Sequence, residues 1–143
     1  MALVYYHGSK VSGLKELKPS ESKVIDEERA VFAISNKYWA MFFIARAGDK
    51  NIESGFINEH PFLLENRPGA FKLLETDGVI YEVDARKFHD DNRLGLRGFE
   101  FISSLAVEVL REERVANISL ELPKYFKMIT FQQKIDALKK CYF

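Results

Sequence analysis

The sequence places a histidine, a glycine and a serine in succession near its start, and these residues could bind a flat ligand. His7, Gly8 and Ser9 follow the apolar and aromatic residues 3–6. The histidine ring offers nitrogen atoms for hydrogen bonds, and glycine leaves the main-chain N–H and C=O open to close approach. A turn with an exposed histidine fits the same residues, so both interpretations stand at this point.

A second candidate is a carboxylate between two aromatic side chains. Glu100 lies between Phe99 and Phe101. Inside a pocket, a fixed carboxylate stabilises a developing positive charge or orients a nucleophile. On the outer face of a strand, the same carboxylate would only be hydrated. Glu100 is therefore the candidate catalytic residue, with a solvated surface position as the alternative.

A third segment could supply one wall of the same cleft. The apolar residues 31–34 end at Ser35, and a pattern of apolar residues at helical spacing begins shortly afterwards. Phe42 lies within this pattern. Its ring could stack on a flat ligand, but aromatic side chains at this spacing also fill an ordinary core.

These residues need strands and helices to position them, and the apolar pattern predicts both. Strands are predicted over residues 3–6, 30–34, 79–84, 99–103, 107–110 and 115–122. One helix is predicted to follow an N-cap at Ser35 or Asn36 and to end at Gly48. A second helix is predicted over residues 124–140. Prolines and a glycine interrupt residues 56–75. This pattern predicts a short helix and a loop there.

Strands outnumber helices in this pattern, and few strands are joined by long helices. This arrangement indicates an α+β fold with a largely antiparallel sheet. The chain has 143 residues, of which 47% are hydrophobic, so it can bury a core as one domain over residues 1–143.

Cysteine and histidine content exclude several kinds of site. The one cysteine, Cys141, excludes an internal disulfide and a cysteine-based zinc site. His60 and His89 have no second histidine at metal-ligand spacing. We therefore expect no metal.

The charge balance argues against a domain that follows a polyanion. Lysine plus arginine number 21 and aspartate plus glutamate number 21, whereas nucleic-acid-binding domains usually have a basic excess. A nucleic acid held briefly as a substrate stays open. The longest apolar run, residues 39–45, is far shorter than the roughly 20 residues that cross a bilayer. We expect a cytoplasmic protein with no membrane partner.

In chain order, these segments resemble the ADP-ribosyltransferase family. Residues 6–10, Tyr-His-Gly-Ser-Lys, are similar to the start of the poly(ADP-ribose) polymerase-like branch and of the small rifampin ADP-ribosyltransferases. Residues 31–35 with Ala40 and Phe42 are similar to the second motif of that branch. Residues 99–102 are similar to the strand that carries its catalytic glutamate. The resemblance implies an α+β fold of split antiparallel β-sheets with a few flanking helices.

The resemblance also implies roles for single residues, with NAD as the substrate. His7 would hydrogen-bond a ribose hydroxyl, and the Gly8 backbone would bind the carboxamide of nicotinamide. Phe42 would stack on the nicotinamide ring. Glu100 would bind the 2′-hydroxyl of the nicotinamide ribose and stabilise the positive sugar as nicotinamide leaves. The implied activity is mono-ADP-ribosyl transfer to a protein, nucleic-acid or small-molecule acceptor that the sequence does not identify.

Two positions depart from the family pattern. Val31 stands where the second motif usually has tyrosine, and Trp39 stands where a serine that binds the carboxamide is common. Ser9 or Ser35 could replace that serine. The alternative function is therefore a non-catalytic binding module of the same fold, which recognises a nucleotide, ADP-ribose or a protein partner.

Overall fold

The chain forms two compact units, each built from two separate segments. The first unit comprises Met1–Ile44 and Gly78–Val115, and the second comprises Ala45–Asp77 and Ala116–Phe143. The computed structural model describes residues 3–19, 24–25, 28–91 and 99–142. The single domain over residues 1–143 stays a prediction from the sequence.

The described residues form mostly short strands, with a few helices between them. The strands are β1 (Val4–Ser9), β2 (Glu16–Leu17), β3 (Val24–Ile25), β4 (Glu28–Arg29), β5 (Val31–Ile34), β6 (Ile52–Ile57), β7 (His60–Glu65), β8 (Gly78–Asp84), β9 (Glu100–Ser103), β10 (Val107–Glu108), β11 (Arg111–Val115) and β12 (Lys127–Ile129). The α-helices are α1 (Lys37–Ile44), α2 (Ile118–Glu121) and α3 (Phe131–Tyr142). Turns of 3₁₀ helix cover Ala70–Leu74, Ala85–Lys87 and Leu122–Lys124. The protein is mixed α+β with several antiparallel sheets, which confirms the predicted class.

A five-stranded antiparallel sheet organises the first unit, in the order β11-β8-β1-β5-β9. The strands predicted over residues 3–6, 30–34, 79–84 and 99–103 correspond to four of its members. One face carries the apolar core, whose buried members are Leu17, Val31, Ala33, Val79, Tyr81, Val83 and Val107. Three of these alternate along β8, and this period of two is the pattern that predicted the strand.

The first helix is shorter than the sequence predicts. Asn36 caps it, because its Oδ1 accepts hydrogen bonds from the N–H groups two and three residues further on, at 2.9 and 3.2 Å. The helix ends at Ile44 rather than at Gly48. Arg46 has a left-handed backbone (φ 48°), which ends the helical conformation before the glycine is reached.

The strand predicted over residues 115–122 is wrong. β11 ends at Val115, and the chain then forms the short helix α2. Asn117 explains the difference, because its Oδ1 accepts a hydrogen bond from the Ser119 N–H (3.0 Å) and caps the helix. An apolar run of this length does not distinguish strand from helix.

The helix predicted over residues 124–140 begins later than expected. The chain first forms a 3₁₀ turn and then β12, which pairs in parallel with β7. A capping box fixes the start of α3. The Thr130 N–H donates to Oε1 of Gln133 (2.9 Å), and the Gln133 N–H donates to Oγ1 of Thr130 (3.1 Å).

Residues 56–75, for which the sequence predicts a short helix and a loop, include most of a β-hairpin that the sequence pattern does not predict. β6 and β7 pair along their full lengths. Asn58 and Glu59 connect them, both with left-handed backbone (φ 49° and 69°), as in a two-residue type I′ turn. The predicted short helix is present only as the 3₁₀ turn Ala70–Leu74.

A buried glutamate joins three elements of the second unit. Glu65, the last residue of β7, is 6% exposed. Its Oε2 accepts a hydrogen bond from the Phe71 N–H (2.8 Å), and its Oε1 accepts one from the Phe131 N–H (3.0 Å) at the start of α3. The first N–H groups of a helix have no partner within the helix, and its dipole favours a negative charge there. These interactions offset the cost of burying the carboxylate.

Candidate functional site

One row of residues crosses all five strands of the large sheet. Arg111 lies opposite Glu82, Glu82 opposite Tyr6, Tyr6 opposite Ile34 and Ile34 opposite Glu100. Residues directly opposite each other project from the same face. Tyr6 and Glu100 therefore share a face, and their Cα atoms are about 10 Å apart at the usual strand spacing.

Helix α1 packs on this face. Gly8 lies two residues after Tyr6 and so has the same orientation in β1. A Cβ on Gly8 would lie 2.0 Å from the carbonyl oxygen of Ala40. Glycine is thus required here by the close approach of α1, whether or not a ligand binds.

The sheet opens between β1 and β5 beyond Tyr6. Among the described residues of these two strands, pairing is confined to Tyr6 with Ile34, although regular pairing would continue to Gly8 and Phe32. The ring of His7 occupies this opening, and its Nδ1 lies 2.6 Å from the carbonyl oxygen of Phe32. Because a carbonyl oxygen only accepts, Nδ1 donates this bond. In the neutral ring, Nε2 is therefore the acceptor.

The backbone on the other side of β5 explains why that carbonyl is available. Ile102 of β9 exchanges both of its backbone hydrogen bonds with His89, each at 2.9 Å. Phe32 lies opposite Ile102, so in this antiparallel ladder the peptide groups of Phe32 face β1 instead. The His7 side chain satisfies an acceptor that the divergence of β1 would otherwise leave without its ladder partner.

Two further predicted residues lie in or next to the row that runs through Tyr6 and Ile34. Glu100 is buried, with 9% exposure, and is paired with Ile34 on β5. Ser35 is exposed, and its N–H donates to the Phe99 carbonyl (2.8 Å), so it lies next to Glu100 across the two strands. Glu100 therefore ends the row that runs through Tyr6 and Ile34. His7 directly follows Tyr6 in the chain, and Ser35 directly follows Ile34.

Alternation along β1 limits this convergence. His7 follows Tyr6 directly, so its Cβ leaves the sheet on the opposite side from that of Glu100. Its ring then lies in the gap between the strands rather than over the face that carries the carboxylate. A ligand that contacts both residues would have to lie across β5.

Two other predicted residues have structural roles in the first unit. Phe42 is 7% exposed and packs against Trp39 and Phe43, with ring centroids 6.5 and 5.7 Å apart. Ser9 is 9% exposed, and its Oγ accepts a hydrogen bond from the Val11 N–H (3.0 Å). The ligand contacts that the resemblance implies for these residues stay predictions.

A lysine at the start of α1 was not identified from the sequence. Its Nζ lies 2.8 Å from Oε2 of Glu113, which joins Lys37 to β11. The hydrogen bond that Lys37 donates to Glu113 raises the pKa of Lys37 above its ordinary value, and the charge of Glu113 and, to a smaller extent, Tyr38 and Tyr6 act in the same direction. The sequence gives no signal for this cluster, because it depends on strand register.

The loop that follows Ser9 is held by a buried phenol. Tyr81 is fully buried, and its hydroxyl donates to the Val11 carbonyl and accepts from the Leu14 N–H (3.2 Å). Burial raises the pKa of Tyr81. The Gly13 N–H donates to Oε1 of Glu112 (2.6 Å), and this bond lowers the pKa of that carboxyl. The residues directly after the candidate site are therefore fixed to β8 and β11.

Within the part of the chain that the structure describes, no group of three or more His, Cys, Asp and Glu side chains is placed to hold a metal. The described helices are also too short or too polar to span a membrane.

Comparison with protein-family models, curated proteins and solved structures found no match for this chain.

Proposed function

We propose that the protein is an NAD-dependent mono-ADP-ribosyltransferase. It would cleave the bond between nicotinamide and ribose and transfer ADP-ribose to a protein, nucleic-acid or small-molecule acceptor. The observation that carries this proposal is the row through Tyr6, Ile34 and Glu100, which has His7 and Ser35 as direct neighbours. The motif resemblance supports the same function, and a cytoplasmic location is part of the proposal.

Glu100 would supply the main electrostatic contribution. When the C–N bond breaks, its electron pair leaves with nicotinamide, and the ribose becomes positively charged at C1′. A buried carboxylate stabilises that charge more strongly than one in bulk water, because the local dielectric is low. The acceptor then attacks C1′ with a lone pair, and its proton is released to water.

His7 would orient the dinucleotide. Its Nδ1 donates to the Phe32 carbonyl, so the ring position is fixed. The family resemblance assigns to this ring the hydrogen bond with a ribose hydroxyl. Ser35 is exposed beside Glu100 and offers a hydroxyl to the carboxamide of nicotinamide. These contacts are positioning interactions, and the bond-breaking step depends on Glu100.

Incubation of the purified protein with NAD tests the proposal through nicotinamide release and automodification. Glu100→Gln keeps the shape of the side chain and removes its charge, so we expect the rate to fall about 100-fold or more. Glu108→Gln is the matched control, because Glu108 is an exposed strand glutamate outside the row. Equal activity of Glu100→Gln and the unaltered protein, or no NAD binding at millimolar concentration, would contradict the assignment.

A specific observation favours the non-catalytic module as a second candidate. The ring expected to stack on nicotinamide, Phe42, is buried among other aromatic rings, and α1 covers Gly8 on one side. Val31 and Trp39 depart from the family pattern and are also buried. Saturable binding of NAD or ADP-ribose, with no turnover at any protein concentration, would select this function.

A further inference from the structure

The second unit has an open pocket at the turn end of the β6–β7 hairpin. Its volume is about 460 Å³, within the range of roughly 300–1,000 Å³ that is usual for small-molecule sites. The lining residues are Ile57, Asn58, His60, Pro61, Phe62, Tyr125, Phe126 and Lys127. All of them belong to one compact unit, so the pocket is independent of the site around Glu100.

Strand register explains how the pocket is built. Ile57 lies opposite His60, and Lys127 lies opposite Phe62. His60 and Phe62 are two residues apart on β7 and project to the same side. An apolar side chain, an imidazole, an aromatic ring and an ammonium group therefore share one face of the three-stranded sheet.

The aromatic floor depends on a glycine in the neighbouring strand. Gly55 lies opposite Phe62, and a Cβ on Gly55 would be only 2.9 Å from Cε1 of the Phe62 ring. The ring thus lies over the glycine. Tyr125 and Phe126 form the adjoining wall, edge to face, with ring centroids 5.0 Å apart. These rings give the pocket an apolar lining, and the Phe62 ring can stack on another ring.

The rim of the pocket is rich in hydrogen-bond donors. Lys127, His60 and Asn58 are exposed and contribute an ammonium group, an imidazole and an amide. The lining residues include no aspartate or glutamate. The fixed charge of the lining is therefore positive, which favours an anionic group at the rim and disfavours a cation.

We infer that this pocket binds a small organic anion, an aromatic ring that carries a phosphate or carboxylate group. The ring would stack on Phe62 beside Tyr125, and the anionic group would accept hydrogen bonds from Lys127 and His60. Charged hydrogen bonds of this kind are stronger than neutral ones, and the aromatic contact gives selectivity for a flat body. The inference does not depend on ADP-ribosyl transfer.

Binding of defined probes tests this inference. We would titrate the full chain with phenyl phosphate and with benzoate, using calorimetry and amide chemical shifts. Inorganic phosphate and phenol each present one half of the probe. Saturable binding of phenyl phosphate or benzoate, with shifts at Ile57, Phe62 and Lys127 and with weaker binding of both halves, is the expected result. Absence of saturable binding at millimolar concentration, or equal binding of inorganic phosphate alone, overturns it.

Single substitutions separate a built site from general surface charge. Lys127→Gln should lower the affinity for phenyl phosphate or benzoate about fivefold or more, because one charged hydrogen bond is lost. Lys139→Gln is the matched control, since Lys139 is exposed on α3 and lies outside the pocket. Gly55→Ala keeps Lys127 and His60 but displaces the Phe62 ring. It should therefore weaken the binding of phenyl phosphate and leave the weak binding of inorganic phosphate unchanged. Equal weakening by Lys127→Gln and Lys139→Gln contradicts the inference, because only overall charge would then matter.

Discussion

The carbonyl oxygen of Ala40 lies directly above Gly8, at 2.0 Å from the position that a Cβ would occupy. Ile44 Cγ1 lies 2.9 Å from the same position. Because a backbone oxygen cannot turn aside as a side-chain tip can, an added methyl group forces α1 away from β1. This contact fixes the distance between the helix and the sheet next to His7.

Gly8→Ala should therefore lower the free energy of unfolding by about 2–4 kcal/mol, which is typical of a forced backbone shift in a packed core. Urea denaturation measures the change. Gly13→Ala is the control: Gly13 has left-handed backbone (φ 80°) but open space around its Cβ position, so only about 1 kcal/mol of backbone strain is expected. Similar losses for the two variants would show that the contact with Ala40 is unimportant.

Tyr81→Phe should loosen the loop after Ser9 while leaving the apolar core filled. The variant keeps the ring but removes a hydroxyl that donates to Val11 and accepts from Leu14. A loss of about 1–3 kcal/mol is expected for the backbone groups left without this partner. Hydrogen exchange of the Leu14 amide should accelerate more than that of Val83, a fully buried residue of β8. Uniform acceleration at both amides would contradict a local anchoring role.

Glu65→Ala should destabilise the second unit strongly. The substitution removes the acceptor for Phe71 and Phe131 and leaves a cavity, so a loss of about 2–4 kcal/mol is expected. The free energy of unfolding of Glu65→Gln should lie between those of the unaltered protein and Glu65→Ala. An amide offers one acceptor oxygen, but its NH₂ group would face a backbone N–H donor. Amide exchange at the start of α3 reports the local effect. An equal stability of Glu65→Gln and Glu65→Ala would refute the paired-acceptor explanation.

Asp84 gives a prediction of pH dependence. The side-chain hydrogen bond from Arg86, followed by that from the Arg86 N–H, lowers the pKa of Asp84 from 3.8 to about 2. A lowered carboxyl pKa stabilises the folded state above the ordinary value, and that contribution is lost as the pH falls from about 4 through about 2. Arg86→Ala should raise this pKa, but not fully, because the backbone N–H remains.

Carbon-13 titration of the Asp84 carboxyl measures this effect directly. Arg111→Ala is the control, because Arg111 pairs with Glu82 rather than with Asp84 (Nη1 to Oε2, 2.9 Å). The control variant should leave the pKa of Asp84 unchanged. An unaltered titration in Arg86→Ala would rule out Arg86 as the cause of the lowered pKa.

The sequence predicted elements where local pattern and tertiary environment agree. β8 is predicted almost to its ends, because Val79, Tyr81 and Val83 recur with a period of two on its core face, while Glu82 and Asp84 lie on the other face. The hairpin was missed because its turn, Asn58–Glu59, lacks the usual glycine, and because Pro61 lies inside β7. Asn117 shows the same limit, since a single cap decided between helix and strand.

The candidate site was only partly accessible to sequence reasoning. Residue type and motif resemblance indicate His7 and Glu100, and the structure places them on the strands that flank β5. Their relation to Tyr6 depends on pairing register, which no local pattern specifies. The burial of Phe42 is likewise a tertiary property, because an aromatic residue on an apolar helix fits both a core and a cleft.

The division of each unit into two chain segments has a consequence for synthesis on the ribosome. Val4 pairs with Asp84, so β1 has to wait for its main partner until the chain has been made past β8. The β6–β7 hairpin is local in sequence, so it can form as soon as it leaves the ribosome. Its parallel neighbour β12 is the last strand to be synthesised. A nascent chain that stops before Gly78 thus contains no complete unit, and the first unit is completed before the second.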